Sequence, residues 1–245
     1  MPGSPISTVV ALADKIDTLT NFWAIEEKPT GSKDPFALRR SALGMIRIII
    51  ENDIRISLSE ILALGNKKAD IEDLKEFIYQ RMKVFLREKG LRHDIIDACL
   101  SIDKEDDLAL SVKKSSALME FIKTSDGSNL IQGFKRANNI LLQAEKNDGV
   151  EYSFGADLKY AKEDAELNLF SVLDSEEVKI KASLEREDFV EAMNSMANLR
   201  APIDSFFETV QINSDVDHIR RNRLNLLSRI CKLCLSVADL TKVEG

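Results

Sequence analysis

The chain has 245 residues with 34 Lys+Arg, 41 Asp+Glu, 2 His and 3 Cys, enough for one large domain or two small ones, and 44% of it is hydrophobic, which excludes disorder for the bulk of it. Ten Gly and five Pro leave little punctuation for the short strands of a sandwich or barrel, so composition leans to helix. A formal net charge of −7, if spread evenly, argues against a nucleic-acid partner, because phosphate binding depends on Lys and Arg displacing condensed cations.

Met1-Pro2-Gly3-Ser4 reads as a start codon plus a cloning remnant and is set outside the fold. An N-terminal helix is expected over residues 6–22. Pro29-Thr30-Gly31-Ser32 is turn chemistry and marks a linker near residues 28–33, the expected domain boundary. Asp34-Pro35 then opens a second helix, with Asp34 as cap and Pro35 at the first helical position. Over residues 70–90, Ile71, Leu74, Ile78, Met82 and Phe85 fall on one helical face. Asp70 stands ready to cap that helix, and Gly90 to end it. Further helices are expected around residues 57–64, 104–123, 128–145, 157–174, 184–198, 200–211 and 215–240, separated by Gly65-Asn66, Ser125-Asp126-Gly127, Asn147-Asp148-Gly149 and Asn213-Ser214. Only residues 54–57 and 150–154 resemble strands, and neither has an evident partner.

Chemistry-bearing motifs are sparse. The sequence holds no phosphate-binding GxxxxGK[ST], GxGxxG or GxSxG, and His93 and His218 make no HExxH pair. A self-contained catalytic site is not expected. Cys231 and Cys234 form a CxxC on a predicted helix without the four ligands of a structural zinc, so they read as core residues, and Cys99 completes a set that suits a reducing compartment. Asp14 and Asp17, three residues apart, fit a capping or surface role, or with partners not in this sequence a cation or acid/base role. No apolar run approaches the roughly 20 residues needed to cross a bilayer, and a cytoplasmic location is the expectation.

The basic residues are more telling. Arg40, Gly44 and Arg47 share a helical face, so two guanidinium groups flank a position without a side chain, a geometry suited to a phosphate backbone; pairing with acids such as Glu51 is the alternative. Residues 218–232 carry Arg220, Arg221, Arg223, Arg229 and Lys232 and no Asp or Glu. Val216, Ile219, Leu226, Ile230, Leu233 and Val237 supply the buried stripe, while Arg221, Asn225, Ser228 and Lys232 run along one polar face. Lys135-Arg136-Ala137-Asn138-Asn139 forms a third cluster of cations with amides.

The run Val10-Ala11-Leu12-Ala13-Asp14-Lys15-Ile16-Asp17-Thr18-Leu19, followed by Pro29-Thr30-Gly31-Ser32-Lys33-Asp34-Pro35-Phe36-Ala37-Leu38-Arg39-Arg40-Ser41-Ala42-Leu43-Gly44, closely resembles the β subunit of bacterial glycyl-tRNA synthetase. Lys135-Arg136-Ala137-Asn138-Asn139-Ile140-Leu141, residues 201–208 and residues 221–227 extend the resemblance over residues 7–241. It implies an all-α chain drawn from the C-terminal part of a longer subunit. Residues 5–33 would be the tail of an HD-like domain plus a linker, with Asp14 or Asp17 resembling the late aspartate of the HD pattern. Residues 34–245 would be a helical bundle similar to the anticodon-binding domain of arginyl-tRNA synthetase.

The resemblance further implies that glycine activation with ATP and Mg belongs to an α subunit of an α2β2 enzyme, with no cofactor or metal in this chain and with glycine tRNA, rather than DNA or a membrane, as partner. A helical protein-interaction scaffold and a fragment of an HD-type phosphohydrolase are the alternatives. On residue chemistry, Arg40, Arg47, Lys135, Arg136, Arg221, Arg223 and Lys232 are the expected phosphate contacts, and Asn138, Asn139 and Asn225 the expected base or sugar contacts. Arginines near Pro35-Phe36-Ala37-Leu38-Arg39-Arg40 have the alternative task of holding the domain junction.

Charge is not spread evenly. Residues 145–191 hold 14 Asp or Glu against 6 Lys or Arg, leaving the rest near +1. That distribution predicts an acidic face turned away from RNA, with basic helices at residues 35–50, 128–145 and 215–232 turned toward it.

Overall fold

The computed structural model describes residues 3–101 and 106–244, all helices and connections, with a single isolated bridge pairing Thr30 and Lys33 and no strand among the described residues. The strand-like runs at residues 54–57 and 150–154 are loops in which no sheet partner is available. The chain divides into two compact units, one of residues 1–96 and 103–115, the other of residues 97–102 and 116–245.

The first unit is built on α1 (Pro5–Ala24), α2 (Leu38–Glu51), α3 (Leu58–Ala63) and α4 (Ile71–Glu88). Ser4 caps α1, its hydroxyl accepting from the Ser7 amide while Ser7 reciprocates, and Pro5 occupies the first turn where a missing N–H costs nothing. The presumed remnant therefore shapes the first helix. Asp34 caps α2 as expected, but its carboxylate accepts from the amides of Leu38 and Arg39 at 2.8 and 3.0 Å, so the helix opens three residues after Pro35. Between them lies a turn in which Ala37 is left-handed at φ 54°. For α4 the reading holds closely: Asp70 accepts from the Asp73 amide at 3.1 Å and Gly90 takes φ +91° just beyond the last turn.

Leu19, Trp23, Leu38, Met45, Ile46, Ile49, Leu62, Leu74, Ile78 and Met82 are buried between these helices. Because α1 packs on both α2 and α4, residues 5–33 are part of this unit, and the expected boundary at residues 28–33 gives way to a division near residues 97–116. The physical reason is that the apolar faces of α1 and α2 cover one another; the turn at residues 29–32 reverses the chain inside one core. Arg39 braces that turn, donating to the Gly31 carbonyl at 2.7 Å. Asp106 closes the unit, accepting from the Ser57 hydroxyl and the Ser59 amide at 2.7 Å each, with the Lys75 ammonium at 3.1 Å.

Two helices cross the division along the chain, α5 (His93–Leu100), which sequence periodicity did not reveal, and α6 (Leu108–Ile122); residues 104 and 105 of the expected 104–123 helix lie outside the described residues. In the second unit α7 (Ser125–Asp148), α8 (Asp164–Glu185), α9 (Phe189–Ala197), α10 (Arg200–Thr209) and α11 (Asp217–Leu235) surround Leu130, Phe134, Ala137, Leu169, Leu173, Ile180, Met196, Phe206, Leu224, Leu227 and Ile230. Helix α7 packs on α10 and α11, and α8 on α9 and α10. Ser125-Asp126-Gly127, expected as a break, is the first turn of α7, capped by Thr124; a Cβ on Gly127 would stand 2.1 Å from the Phe121 carbonyl oxygen, so only glycine permits this two-residue connection. Residues 157–163 are a short 3-10 turn and extended chain; α8 starts later than expected and runs on to Glu185, because Ser175-Glu176-Glu177 contains no helix breaker.

Candidate nucleic-acid interface

In the first unit Arg40 and Arg47 are both exposed on α2. Arg40 makes no described ion pair, and Arg47 lies 4.0 Å from Glu88 and 5.9 Å from the centre of the Phe85 ring, not on Glu51. Gly44 between them is not open to a ligand: a Cβ there would stand 3.4 Å from Cε of Lys15, so the glycine seats the lysine stem of α1. Asp14 and Asp17 are exposed and locally engaged, Asp14 by Lys15 at 2.6 Å and Asp17 by the Asn21 amide at 2.9 Å.

In the second unit α11 carries its five cations to different ends. Arg223 is a correction: it is buried, its guanidinium donates to both Glu166 oxygens at 3.0 and 2.9 Å, and it also donates to the Gln211 carbonyl at 2.7 Å. Burial pushes the Glu166 carboxyl up, but Arg223 and the amides of Lys162 and Glu163 outweigh it and hold the group below its ordinary pKa. Arg220 donates to Asp148 at 2.8 Å and to the Tyr152 hydroxyl at 3.1 Å; the hydrogen bonds from Tyr152 and then Arg220 keep Asp148 below the usual carboxylate range. Arg229 sits between Asp174 and Glu177, 2.7 Å from each. The expected segregation of charge therefore fails here, since acids of residues 145–191 reach across to the cations of α11.

Two cations of α11 stay exposed without a carboxylate partner. Arg221 lies over the ring of Phe154 at 5.8 Å, and Phe154 is 82% exposed. Lys232 donates to the Ser153 carbonyl at 3.3 Å. One turn before Arg221, His218 packs on Tyr160 with ring centres 5.4 Å apart. Between α8, α11 and the loop at residues 153–155 is a cleft of about 300 Å³. Of the face read from the sequence, Asn225, Ser228 and Lys232 line the cleft, while Arg221 lies on Phe154, which is not one of the lining residues. Asn225, expected as an exposed contact, is only 6% exposed, and its side-chain oxygen is buried without a hydrogen-bond partner.

The third cluster divides in the same way. Lys135 turns inward to donate to the Val243 carbonyl at 2.5 Å, which ties α7 to the end of the chain and withdraws the ammonium from phosphate contact. Arg136 is exposed and lies 4.4 Å above the centre of the Phe207 ring on α10. It stands in a groove of about 690 Å³ formed by α7, α10 and residues 210–213. Gln143, Asn147, Gln211 and Asn213 line that groove, and Asn129 and Gln132 continue its polar edge. Asn138 is half-buried and Asn139 exposed, and neither has a described hydrogen bond.

Phe154, Tyr160 and Phe207 were not singled out from the sequence. Their signal was present as aromatics set among Gly, Ser and charged residues, but pairing each with a particular cation needs tertiary structure. Cys231 and Cys234 are buried thiols; burial pushes Cys231 up to about 12, and Cys234 likewise upward, as befits core residues. Among the described residues no group of three or more His, Cys, Asp or Glu could hold a metal ion, and no helix is long and apolar enough to cross a membrane.

The family model described as "Glycyl-tRNA synthetase beta subunit" matches residues 1–101, and the "DALR anticodon binding domain" matches residues 130–244. Over its whole length the chain is 59% identical to the glycine–tRNA ligase β subunit of Ruegeria sp. strain TM1040, 57% to that of Paracoccus denitrificans and 46% to that of Rhodospirillum centenum. The chain is similar along its whole length to glycine–tRNA ligase β subunits. It spans little more than a third of the length of these relatives, 36%, 36% and 35% respectively. Along the chain the DALR match begins in α7 and ends beyond α11, so the α7–α10 groove and the α8–α11 cleft both fall inside it.

Proposed function

We propose that this chain forms the RNA-holding part of a glycine–tRNA ligase β subunit. The second unit grips the anticodon arm of glycine tRNA, while glycine is attached with ATP and Mg at a site in a partner α subunit of a cytoplasmic α2β2 enzyme. The observation that carries this reading is the pairing of exposed cations with aromatic rings, Arg136 on Phe207 and Arg221 on Phe154, beside side-chain amides without described partners, all within the DALR-like segment. Single-stranded loops are where RNA sequence is read, because their unstacked bases can lie on planar side chains and present their edges to amides.

In this scheme Arg136, Arg221 and Lys232 hold phosphates or stack on bases, and Asn138, Asn139, Gln143 and Asn147 contact base or sugar edges along α7. Arg40 and Arg47 add backbone contacts from the first unit. Lys135, Arg220, Arg223 and Arg229 are spent on internal partners and act as scaffolding. Association should therefore have a modest salt dependence: log K falls with log salt by about 0.7 for each phosphate neutralised on a single strand, with at most the five cations Arg40, Arg47, Arg136, Arg221 and Lys232 contributing.

The test is salt-dependent binding of the 245-residue chain to glycine tRNA beside the same tRNA with an altered anticodon. Tighter binding to the native anticodon, with parallel salt slopes, is expected. Equal affinity for both overturns anticodon reading, and no affinity for either overturns RNA binding by this chain.

A further inference from the structure

The connection from α7 to α8 passes α11 between two fixed posts. Upstream, Tyr152 is buried, its hydroxyl donating to Asp148 at 2.6 Å and its amide to Glu145 at 3.0 Å. Downstream, the Asp157 amide donates to Asn222 Oδ1 on α11 at 2.7 Å. Residues 153–156 between the posts are tied more loosely. The Lys232 ammonium reaches the Ser153 carbonyl at 3.3 Å, and Arg221 lies 5.8 Å from the centre of the Phe154 ring. The backbone groups of Phe154, Gly155 and Ala156 make no hydrogen bond with the described residues.

This stretch stands beside apolar surface that it does not use. Ser153 and Gly155 border the α8–α11 cleft, whose walls include Ile180, Leu184 and Leu233, while Phe154 between them is outside the lining and 82% exposed. Neighbouring side chains on an extended backbone turn to opposite sides, so the seat that places Ser153 and Gly155 over the cleft turns the ring to water. Beneath the connection, Asn222 Nδ2 and Asn225 Oδ1, a donor and an acceptor three residues apart on α11, are both buried and unpaired. A phenyl ring in water beside an apolar cleft, and unmatched amide groups on the helix below, mark a seat that a local shift improves.

We propose that residues 153–156 form a lid with two positions, the open one described above and a closed one in which Phe154 fills the α8–α11 cleft. Gly155 is the hinge. It stands at φ +87°, and glycine passes from there to negative φ without the steric cost that any other residue meets, which lets residue 154 turn about while Tyr152 and Asp157 hold their places. Burying a phenyl side chain withdraws roughly 150–250 Å² from water, the force that closes the lid. The cleft, at about 300 Å³, has room for one such ring. Lys232 is the latch of the open position, through its bond to Ser153. Closure leaves Arg221 without its ring, so the lid sets how often that exposed cation–aromatic pair is on offer to a ligand of any kind; it does not rest on the RNA-binding reading.

The test is methyl NMR of the full chain without RNA, labelled at isoleucine and leucine methyls. Lids move on the microsecond-to-millisecond scale, and minor states are populated at about 0.1–10%, so relaxation dispersion is expected at the Ile180 and Leu184 methyls. Phe154→Ala, at an exposed position that folding tolerates, should abolish it, because no ring remains to enter the cleft. Lys232→Met frees Ser153 and should raise the closed fraction and with it the dispersion amplitude. Flat profiles in the parent, or dispersion that persists unchanged in Phe154→Ala, would overturn the lid. An amplitude that does not rise in Lys232→Met would overturn the latch.

Discussion

Arg221 and Arg223 are two residues apart on α11 and have opposite environments, one lying on an exposed aromatic ring and the other buried on Glu166. A buried pair contributes little over an apolar replacement, but losing one partner strands the other's charge. Arg223→Met should therefore destabilise the second unit by about 3–5 kcal/mol in urea unfolding, whereas Arg221→Ala should change stability by less than about 0.5 kcal/mol and weaken RNA binding. In the first unit Asp106 has its pKa lowered to about 2: burial pushes it up, but the bonds from Ser59 and Ser57 and the Lys75 ammonium prevail. Since the unfolded value is near 3.9, the stabilisation from this carboxylate is complete above roughly pH 4 and is lost as pH falls through about 2. Asp106→Asn should flatten the fall in thermal stability of the first unit between those limits, as measured by scanning calorimetry in acid. An undiminished acid transition in that variant would mean that other carboxylates control it.

Helices were legible where apolar spacing, caps and breakers agreed. Helix α4, with Asp70 before it and Gly90 after it, emerged nearly residue for residue. Errors arose where a local signal was reused for another purpose. Asp34 does cap α2, yet a left-handed Ala37 displaces the helix start, and no residue-type preference announces a positive φ at alanine. Gly127 looked like a turn and is instead a steric allowance for the α6–α7 connection. Gly127→Ala should cost roughly 1–3 kcal/mol by overpacking, read as a lowered denaturation midpoint; an unchanged midpoint would mean that the connection relaxes freely. The polar face of α11 was legible as a face, because it follows from helical spacing alone, but the burial of Asn225 and Arg223 depends on α8 and on residues 211 and 153–155, which are distant in sequence.

Across the whole molecule, net charge hid the arrangement that counts. The acids of residues 145–191 were visible as a block, and a block suggests a face, but contacts at Arg220, Arg223 and Arg229 show them interleaved with the basic helix. Neutralised in this way, α11 keeps only Arg221 and Lys232 exposed without a carboxylate partner, which under the proposed function suits reading a loop better than gripping a duplex by charge. The most direct measurement is binding of the full chain to an isolated anticodon stem-loop of glycine tRNA beside the same stem-loop with its loop sequence replaced. The account predicts that the native stem-loop retains most of the affinity of the whole tRNA and that replacing the loop weakens it at least tenfold. Equal affinity for the two stem-loops, or binding only to the intact tRNA, would contradict it.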